Sequence, residues 1–195
     1  VYNKLNTYST NRVSYISDFS VPGNLDGWKP YSSAVDNLTM TAGETAPGES
    51  DPSWLKCVYT DDMTTGISGI QLEPFWGTTE DGTVIGDGQS GDYFVFTYKI
   101  HIVDGGGKWD PEGDSDAVTV YTQYGASTGF MVGWVTHTIN LDTTYSNAAV
   151  TGPIVPDASY NGIGQGNPKI TFPITDDMPQ TGATFYIKDV GMILL

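Results

Sequence analysis

The closing run of the chain, residues 183–195 (ATFYIKDVGMILL), most constrains the fold because it is the longest uninterrupted β-type stretch in the sequence. An opening stretch at residues 14–28 (SYISDFSVPGNLDGW) begins with a similar pattern. A first and a last strand lying side by side would close one sheet of a sandwich. Along the closing run, the apolar residues change parity at Lys188 and Asp189, which predicts a change of register there.

The composition favours short strands joined by turns. The chain has 12 tyrosines, seven phenylalanines and five tryptophans, set among 24 glycines and 11 prolines. No amphipathic helix of useful length is visible, and candidate strands recur between turn residues. A chain of 195 residues is long enough to bury a full core without help. The sequence therefore predicts an all-β protein, a sandwich or a barrel.

Residues 92–103 (DYFVFTYKIHIV) are the clearest strand, because large apolar residues alternate with others along its whole length. Phe96, Tyr98 and Ile100 lie on the predicted core face, whereas Lys99 and His101 lie on the face predicted to meet water. Counting such segments gives eight or nine strands, which fits two antiparallel sheets in a jelly roll. A parity shift near Gly69 predicts a bulge.

The chain is expected to form one jelly-roll domain over residues 14–195. Residues 1–13 are polar and irregularly spaced, and they are predicted to be an extended N-terminal arm. Residues 143–167 are rich in Gly, Pro and Asn and are predicted to be a long loop.

The net charge of −15, from 23 acidic and eight basic residues, excludes nucleic acid and an anionic membrane as expected partners, because phosphate would be repelled. Cys57 is the only cysteine, so no intrachain disulfide forms, and it is predicted to be a small core residue. No run is long enough to cross a bilayer. The chain begins with Val, which suggests a trimmed, processed or excised product.

Several segments, in their order, resemble a known family. An opening Asp18-Phe19 strand is followed by LDGW at residues 25–28, and then come WLKCVYT, GDYFVFTYKI, a Trp-led strand at 134–141 and a closing FYIKDVGM. Together they resemble the β-jelly-roll carbohydrate-binding modules, which include xylan- and glucan-binding and galactose-binding-like modules. The resemblance covers residues 14–195. It implies a non-catalytic glycan-binding domain that lies outside the cell or on the surface of a virion or cell.

The same resemblance raises the question of a structural calcium ion. In such modules the opening strand commonly reads DFE and the closing strand FYIDDV, and those acids help hold calcium. The matching positions here are Ser20 and Lys188, and an ammonium group supplies no oxygen ligand. We therefore expect no cofactor, and we expect Lys188 to pair with Asp18 or Asp189 instead.

Glycan binding needs aromatic faces for sugar C–H groups and short polar side chains for hydroxyls. The outward faces of the long strands offer five candidates: Trp134, Tyr121, Gln123, His101 and Lys99. The alternative is that Trp134 anchors the core and the others are ordinary solvated strand residues.

Two further groups lie in acidic, glycine-rich loops. Trp76 and Trp109 either cap the ends of the sandwich or form a contact surface for a ligand or another chain. Asp110, Glu112, Asp114 and Asp116 alternate as calcium ligands do, but the EF-hand pattern is incomplete because Ser115 and Tyr121 occupy its sixth and twelfth positions. A solvated acidic loop is favoured over a metal site.

No motif indicates catalysis, so the chain is predicted not to be an enzyme. No spacing selects a glycosidase pair among the carboxylates, and His101 and His137 have no partner spacing for a metal or a nucleophile. Two hypotheses remain. The first is a non-catalytic glycan-binding module. The second is a structural or adhesive jelly-roll protein, such as a virion decoration, fibre or cell-surface module, that contacts a neighbouring subunit through its N-terminal arm.

Overall fold

The computed structural model describes residues 4–8, 12–32, 34–64, 66–72, 77–78, 84–85, 94–109, 116–125, 131–151, 167–173 and 179–194. These residues contain fourteen strands: β1 (Lys4–Tyr8), β2 (Arg12–Ile16), β3 (Trp28–Ser32), β4 (Leu38–Glu44), β5 (Trp54–Tyr59), β6 (Ile67–Leu72), β7 (Gly77–Thr78), β8 (Val84–Ile85), β9 (Phe94–Val103), β10 (Ala117–Gly125), β11 (Met131–Asn140), β12 (Thr144–Thr151), β13 (Asn167–Pro173) and β14 (Thr184–Leu194). Across those ranges, no helix is long and apolar enough to span a membrane.

Five strands form the body of the first sheet, in the order β12–β9–β14–β5–β4, and every ladder is antiparallel. The hairpin β1–β2 joins the same sheet beside the second half of β14, where Gly191 lies opposite Ile16 and Ile193 lies opposite Ser14. The prediction that the opening and closing strands lie side by side is therefore confirmed.

The second sheet contains β11–β10–β13–β6–β3, again antiparallel throughout. The chain passes repeatedly from one sheet to the other, for example between β9 and β10 and between β11 and β12. The predicted all-β, two-sheet antiparallel sandwich is confirmed. Its two sheets of five strands, with the hairpin β1–β2 and the short pair β7–β8 in addition, exceed the eight or nine strands expected.

Residues 143–167, predicted as a loop, contain β12 over their described part. Here the prediction was wrong, because Gly and Asn lowered the β character of the segment as a whole. Locally the strand still alternates: Tyr145 is partly buried and Asn147 buried, whereas Thr144 and Ser146 are exposed. The ladder with β9 runs along the whole strand, from Thr144 opposite His101 onward.

The core lies between the two sheets. On β9, Phe96, Ile100 and Ile102 are fully buried, as the alternation predicted, and Val118 and Val120 of β10 meet them from the other sheet. Cys57 is buried and unpaired in this core, as expected. Trp28 packs here too, with its ring centroid 6.3 Å from that of Phe96.

The two predicted irregularities have different outcomes. On β14 the ladder with β9 shifts register between Lys188 and Gly191, and Asp189 has φ of 51°, so that prediction is confirmed. The bulge predicted at Gly69 is wrong, because both ladders of β6 run through Gly69 without a shift. Glycine is required at this position for a different reason: φ is 152°, and a Cβ there would lie 2.2 Å from the Ile170 carbonyl oxygen.

The segment expected to be an extended arm contributes two strands to the domain's own sheet. Residue Lys4 of β1 lies opposite Tyr15 of β2, and the predicted boundary between residues 13 and 14 falls inside β2. Among the described strands, β1 pairs only with β2 and so lies at an edge of the first sheet.

Candidate functional site

Three of the predicted glycan-binding residues lie on one face of the second sheet. Gln123 of β10 lies directly opposite Trp134 of β11, and Tyr121 lies opposite Thr136 one step along the same face. Val120 and Thr122, which alternate with them, are buried towards the core. Directly opposite residues of an antiparallel pair share a face, so the positions of Tyr121, Gln123 and Trp134 belong to the same face by register.

The ladders carry this face across all five strands. Gln123 aligns with Lys169 of β13, which aligns in turn with Gln71 of β6 and Lys29 of β3. The next row follows the same strands from Tyr121. We call the set the polar face: Trp134, Gln123, Lys169, Gln71 and Lys29 in one row, and Thr136, Tyr121, Thr171, Gly69 and Tyr31 in the other.

The middle of the polar face is more enclosed than its edges. Lys169 is only 1% exposed, and its ammonium nitrogen lies 4.9 Å from the ring centroid of Tyr31. Tyr31 is the register partner of Gly69. Burial raises the pKa of the Tyr31 hydroxyl above its usual range. At the edges Lys29 and Thr136 are exposed, and Tyr121 is partly buried.

Sequence reasoning missed the half of this face formed by β3, β6 and β13. A signal was present in the sequence: Lys29 and Tyr31 on β3, and Lys169 and Thr171 on β13, alternate with apolar or proline residues. In isolation, five-residue stretches of this kind are too short to identify a site. Only the register shows that they continue the rows of β10 and β11.

The five strands of the second sheet contain no aspartate or glutamate. This is a marked difference from the whole chain, which has 23 acidic residues. A glycosidase pair needs two carboxyl groups flanking the scissile bond. The strands that form the polar face do not supply such a pair, and their charged residues are lysines.

Lys99 and His101 lie elsewhere, on β9 of the first sheet, so the structure does not bring them together with Tyr121, Gln123 and Trp134. The expectation that His101 faces water is corrected: it is 4% exposed, and its Nδ1 lies 3.2 Å from Thr144 Oγ1. Its ring lies beside that of Tyr186, and Glu49 of residues 45–53 reaches the same outer face, where it accepts a hydrogen bond from the Thr144 hydroxyl. Lys99 is partly exposed, and its ammonium group lies 2.9 Å from an Asp189 carboxylate oxygen.

Of the two alternatives for Trp109, an exposed contact residue is wrong, because the side chain is buried. It is fully buried between the sheets, with its ring centroid 4.7 Å from Phe172 and 5.8 Å from Tyr59. An isolated tryptophan in a glycine-rich loop reaches the core here because the turn at residues 104–108 folds back over the end of β9. Trp76 lies outside the described residues.

The acidic loop predicted to be solvated is described only at its end. Asp110, Glu112 and Asp114 lie outside the described residues, and Asp116 is an exposed residue whose carbonyl accepts a hydrogen bond from the Leu141 N–H. In the described part of the chain, no group of three or more His, Cys, Asp or Glu side chains is placed to hold a metal ion.

The positions that match a structural calcium site in related modules carry a different set of contacts. Lys188 Nζ lies 2.7 Å from an Asp51 carboxylate oxygen, and the ammonium group lies 5.2 Å from the Trp54 ring centroid. Hydrogen bonds from the Ser20 hydroxyl and the Ser20 N–H lower the pKa of the Asp18 carboxyl group. These residues do not fit a calcium ion, since an ammonium stands where a ligand oxygen is needed. The partner of Lys188 is Asp51, not Asp18 or Asp189 as expected.

His137 lies on β11 with Val135 and Ile139 on the side towards the core. Its ring centroid is 6.1 Å from that of Tyr145, and burial lowers its pKa below the usual range. Its Nε2 is buried without a hydrogen-bond partner. This environment is that of a packed histidine on the inner side of the sheet.

No family model and no curated protein matches the chain. Solved structures do. An arabinose-bound α-L-arabinofuranosidase is similar with a TM-score of 0.61 and 14% identity over 89% of this chain, which spans about a quarter (24%) of that enzyme's length. A Stig cyclase from Fischerella sp. TAU is similar with a TM-score of 0.51 and 13% identity, over 93% of this chain and 89% of the cyclase. The shared property is the β-sandwich fold.

A cellulose-binding domain from Cellulomonas fimi β-1,4-glucanase C is also among the similar structures, with a TM-score of 0.46 and 14% identity over 86% of this chain and 88% of that domain. That domain is of the class that the sequence motifs resemble. At these identities the similarity describes the fold and leaves the ligand to be argued from the site.

Proposed function

We propose that this protein is a non-catalytic glycan-binding module and that the polar face is its binding surface. The observation that carries the proposal is the register of β10 and β11, which places Trp134 directly opposite Gln123 and Tyr121 beside them on the outward face. An aromatic ring and a side-chain amide at adjacent positions supply the two kinds of contact that a sugar ring requires.

The exposure and the charge of the polar face bear on this proposal. The middle of the polar face is closed, since Lys169, Gln71 and Thr171 are buried, so the accessible part that we propose for binding is the β10–β11 side, where Tyr121 is partly exposed and Thr136 exposed. The same five strands carry no carboxylate, which supports binding without hydrolysis. A role in recognising glycans is consistent with a location outside the cell or on a virion or cell surface.

Glycan arrays and affinity electrophoresis test the proposal directly. The wild-type protein is expected to bind at least one β-linked polysaccharide, and Trp134→Ala and Tyr121→Ala are each expected to weaken binding by about tenfold or more, because a lost stacking contact is worth roughly 1–3 kcal/mol. Circular dichroism and melting curves establish that each variant is folded.

Lys99→Ala is a matched control, because Lys99 was also a candidate but lies on the other sheet. Its binding is expected to equal that of the wild type. A folded wild-type protein that binds no glycan would contradict the proposal, as would Trp134→Ala and Tyr121→Ala variants that bind normally.

The second candidate function is assembly through the edge of the first sheet, and the position of β1 favours it. Among the described strands β1 pairs only with β2, so its other side presents backbone groups on which a strand of a neighbouring subunit can pair. Deleting residues 1–11 removes β1 and leaves β2 intact. If this function is correct, the wild-type protein forms oligomers in analytical ultracentrifugation, and the truncated protein is monomeric.

A further inference from the structure

The outer face of the first sheet carries a second, smaller apolar cluster. Trp54 of β5 and Tyr186 of β14 lie on this face with Ala46, and they are 0%, 8% and 1% exposed. Ala46 belongs to residues 45–53, which we call the covering segment; Pro47 to Pro52 of this segment are exposed. The covering segment therefore lies over two large aromatic side chains that the sheet alone would leave in water.

One contact that holds the covering segment is an ion pair with β14. Lys188 Nζ donates to Asp51 Oδ2 at 2.7 Å, and the hydroxyl of Ser53 donates to the same oxygen at 2.7 Å. The Lys188 ammonium also lies 5.2 Å from the Trp54 ring centroid. This contact joins the segment to the sheet beside the aromatic cluster, and both of its charges are present at neutral pH.

The other contact is a chain of hydrogen bonds that ends on a buried histidine. The hydroxyl of Thr144 donates to Glu49 Oε1 at 3.3 Å, so its oxygen is left to accept from the Nδ1–H of His101 at 3.2 Å. That arrangement requires a proton on Nδ1, and the neutral ring then has none on Nε2. The other nitrogen, Nε2, is buried and has no hydrogen-bond partner among the residues that the structure describes.

Protonating His101 would place an N–H group and a positive charge at this buried position, where no acceptor is present. Burial accordingly lowers the pKa of His101, and the negative charges of Asp142 and Glu49 oppose that shift. The titratable and charged groups on the elements that pack around this face are Glu44, Glu49, Asp51, Asp142, Asp189, Tyr186, Lys56, Lys99 and Lys188. The acidic residues outnumber the lysines, so burial, and not the net charge of this set, disfavours the cation.

We propose that the covering segment opens from the first sheet in mildly acidic solution, with His101 as the group whose protonation drives the opening, and that opening exposes Trp54 and Tyr186. The closed segment favours the neutral form of His101, so lowering the pH weakens closure. Closure is fully favoured above the ordinary histidine pKa, and it weakens as the pH falls through the lowered pKa of His101. The proposal concerns the first sheet and does not depend on glycan binding by the second.

Hydrogen exchange of two indole N–H groups tests this proposal. Trp54 Nε1 and Trp109 Nε1 are both buried and without a partner, but Trp54 lies under the covering segment and Trp109 lies in the main core. Each indole signal is assigned by its loss in a Trp→Phe variant. After correction for the intrinsic exchange rate, protection of Trp54 is expected to be smaller than that of Trp109 at every pH. It is also expected to fall by up to roughly 30-fold between about pH 8 and about pH 5.

Two variants identify the group responsible. His101→Gln keeps an N–H that can donate to Thr144 but cannot gain a proton, so the pH dependence of Trp54 protection is expected to disappear. His137→Gln changes the other histidine with a lowered pKa and is expected to leave that dependence intact. Thr144→Val is the substitute variant if His101→Gln does not fold. It breaks the same hydrogen-bond chain and is expected to lower Trp54 protection already at about pH 8.

Three results would overturn the proposal. Equal protection of Trp54 and Trp109 at every pH would mean that Trp54 meets water only when the whole protein unfolds. Protection of Trp54 that does not change with pH would remove the role of protonation. An unchanged pH dependence in His101→Gln would assign the effect to another group.

Discussion

The hydroxyl oxygen of Tyr98, on the first sheet, lies 2.7 Å from Oγ1 of Thr122, on the second sheet, inside the core. Asn147 Nδ2 donates to the same Thr122 oxygen at 3.2 Å. All three side chains are buried, and burial raises the pKa of the Tyr98 hydroxyl well above its usual range. These three side chains join the two sheets with polar contacts inside the core, so their hydrogen bonds must be satisfied together.

Replacing Thr122 with Val is expected to destabilise the protein by about 2–3 kcal/mol, because it leaves the buried hydroxyl of Tyr98 and the buried amide of Asn147 without their partner. Denaturant unfolding, followed by fluorescence, measures the free energy of unfolding. Thr138→Val, on the exposed face of β11, is the matched control and is expected to change it by less than about 0.5 kcal/mol. Equal effects of the two variants would mean that the polar contacts inside the core contribute nothing.

Gly69→Ala is expected to be one of the most damaging single changes, with a cost of about 3 kcal/mol or more. The added Cβ would lie 2.2 Å from the Ile170 carbonyl oxygen and 2.7 Å from Thr171 Cα, both backbone atoms of β13. Gly48→Ala is the control, since φ there is also positive but nothing lies within 4 Å of the new atom. Its expected cost is about 1 kcal/mol, from backbone strain alone. Thermal melting of both variants distinguishes the clash with β13 from backbone strain alone. Similar melting temperatures would mean that the clash does not explain the glycine at position 69.

A calcium chelator is expected to leave the melting temperature unchanged, because Lys188 stands at a position where related modules have a ligand oxygen. The measurement is differential scanning calorimetry of the protein with and without excess chelator. Removing a bound ion that stabilises only the folded state would lower the melting temperature. A clear drop would therefore show that calcium is bound after all.

Cys57 is expected to resist alkylation in the folded protein. It is fully buried in the core, and burial raises the pKa of its thiol well above the usual range, so the reactive thiolate is scarce and inaccessible. Mass spectrometry after treatment with iodoacetamide at about pH 8 measures the labelled fraction. Labelling is expected to be complete in denaturant and slow without it. Labelling at the rate of a free thiol in both conditions would contradict the buried position.

Much of the fold could be predicted from local pattern. The alternation along β9 identified its core residues, and the change of parity on β14 identified the bulge at Lys188 and Asp189. Strand β12 was missed, because Gly and Asn around it suggested a loop and its alternation is carried partly by Asn147. A buried asparagine is recognisable as a core residue only when its partner is known, and Thr122 lies on another sheet.

The candidate site could be predicted only in part, for a physical reason that His101 illustrates. Alternation separates the inner face of a strand from its outer face, but it does not show whether a distant segment covers the outer face. His101 and Trp54 are both on outer positions and both are buried, and residues 45–53 reach this face: Ala46 packs with Trp54, and Glu49 binds the hydroxyl of Thr144 that contacts His101. The partner of Lys188 is 137 residues away along the chain, and only the tertiary structure brings Asp51 to it.

Strand β14 pairs with three strands that are far apart in sequence: β9 along one edge, and β5 and then β2 along the other. It is also the last of the described strands along the chain. During synthesis on the ribosome, β2, β5 and β9 are all made before the strand that joins them, so the first sheet cannot be completed until β14 has emerged. Such dependence on distant contacts slows folding and leaves sheet edges unpaired in the meantime. Protection of the nascent chain by a chaperone would therefore matter most in the interval before residues 184–194 become available.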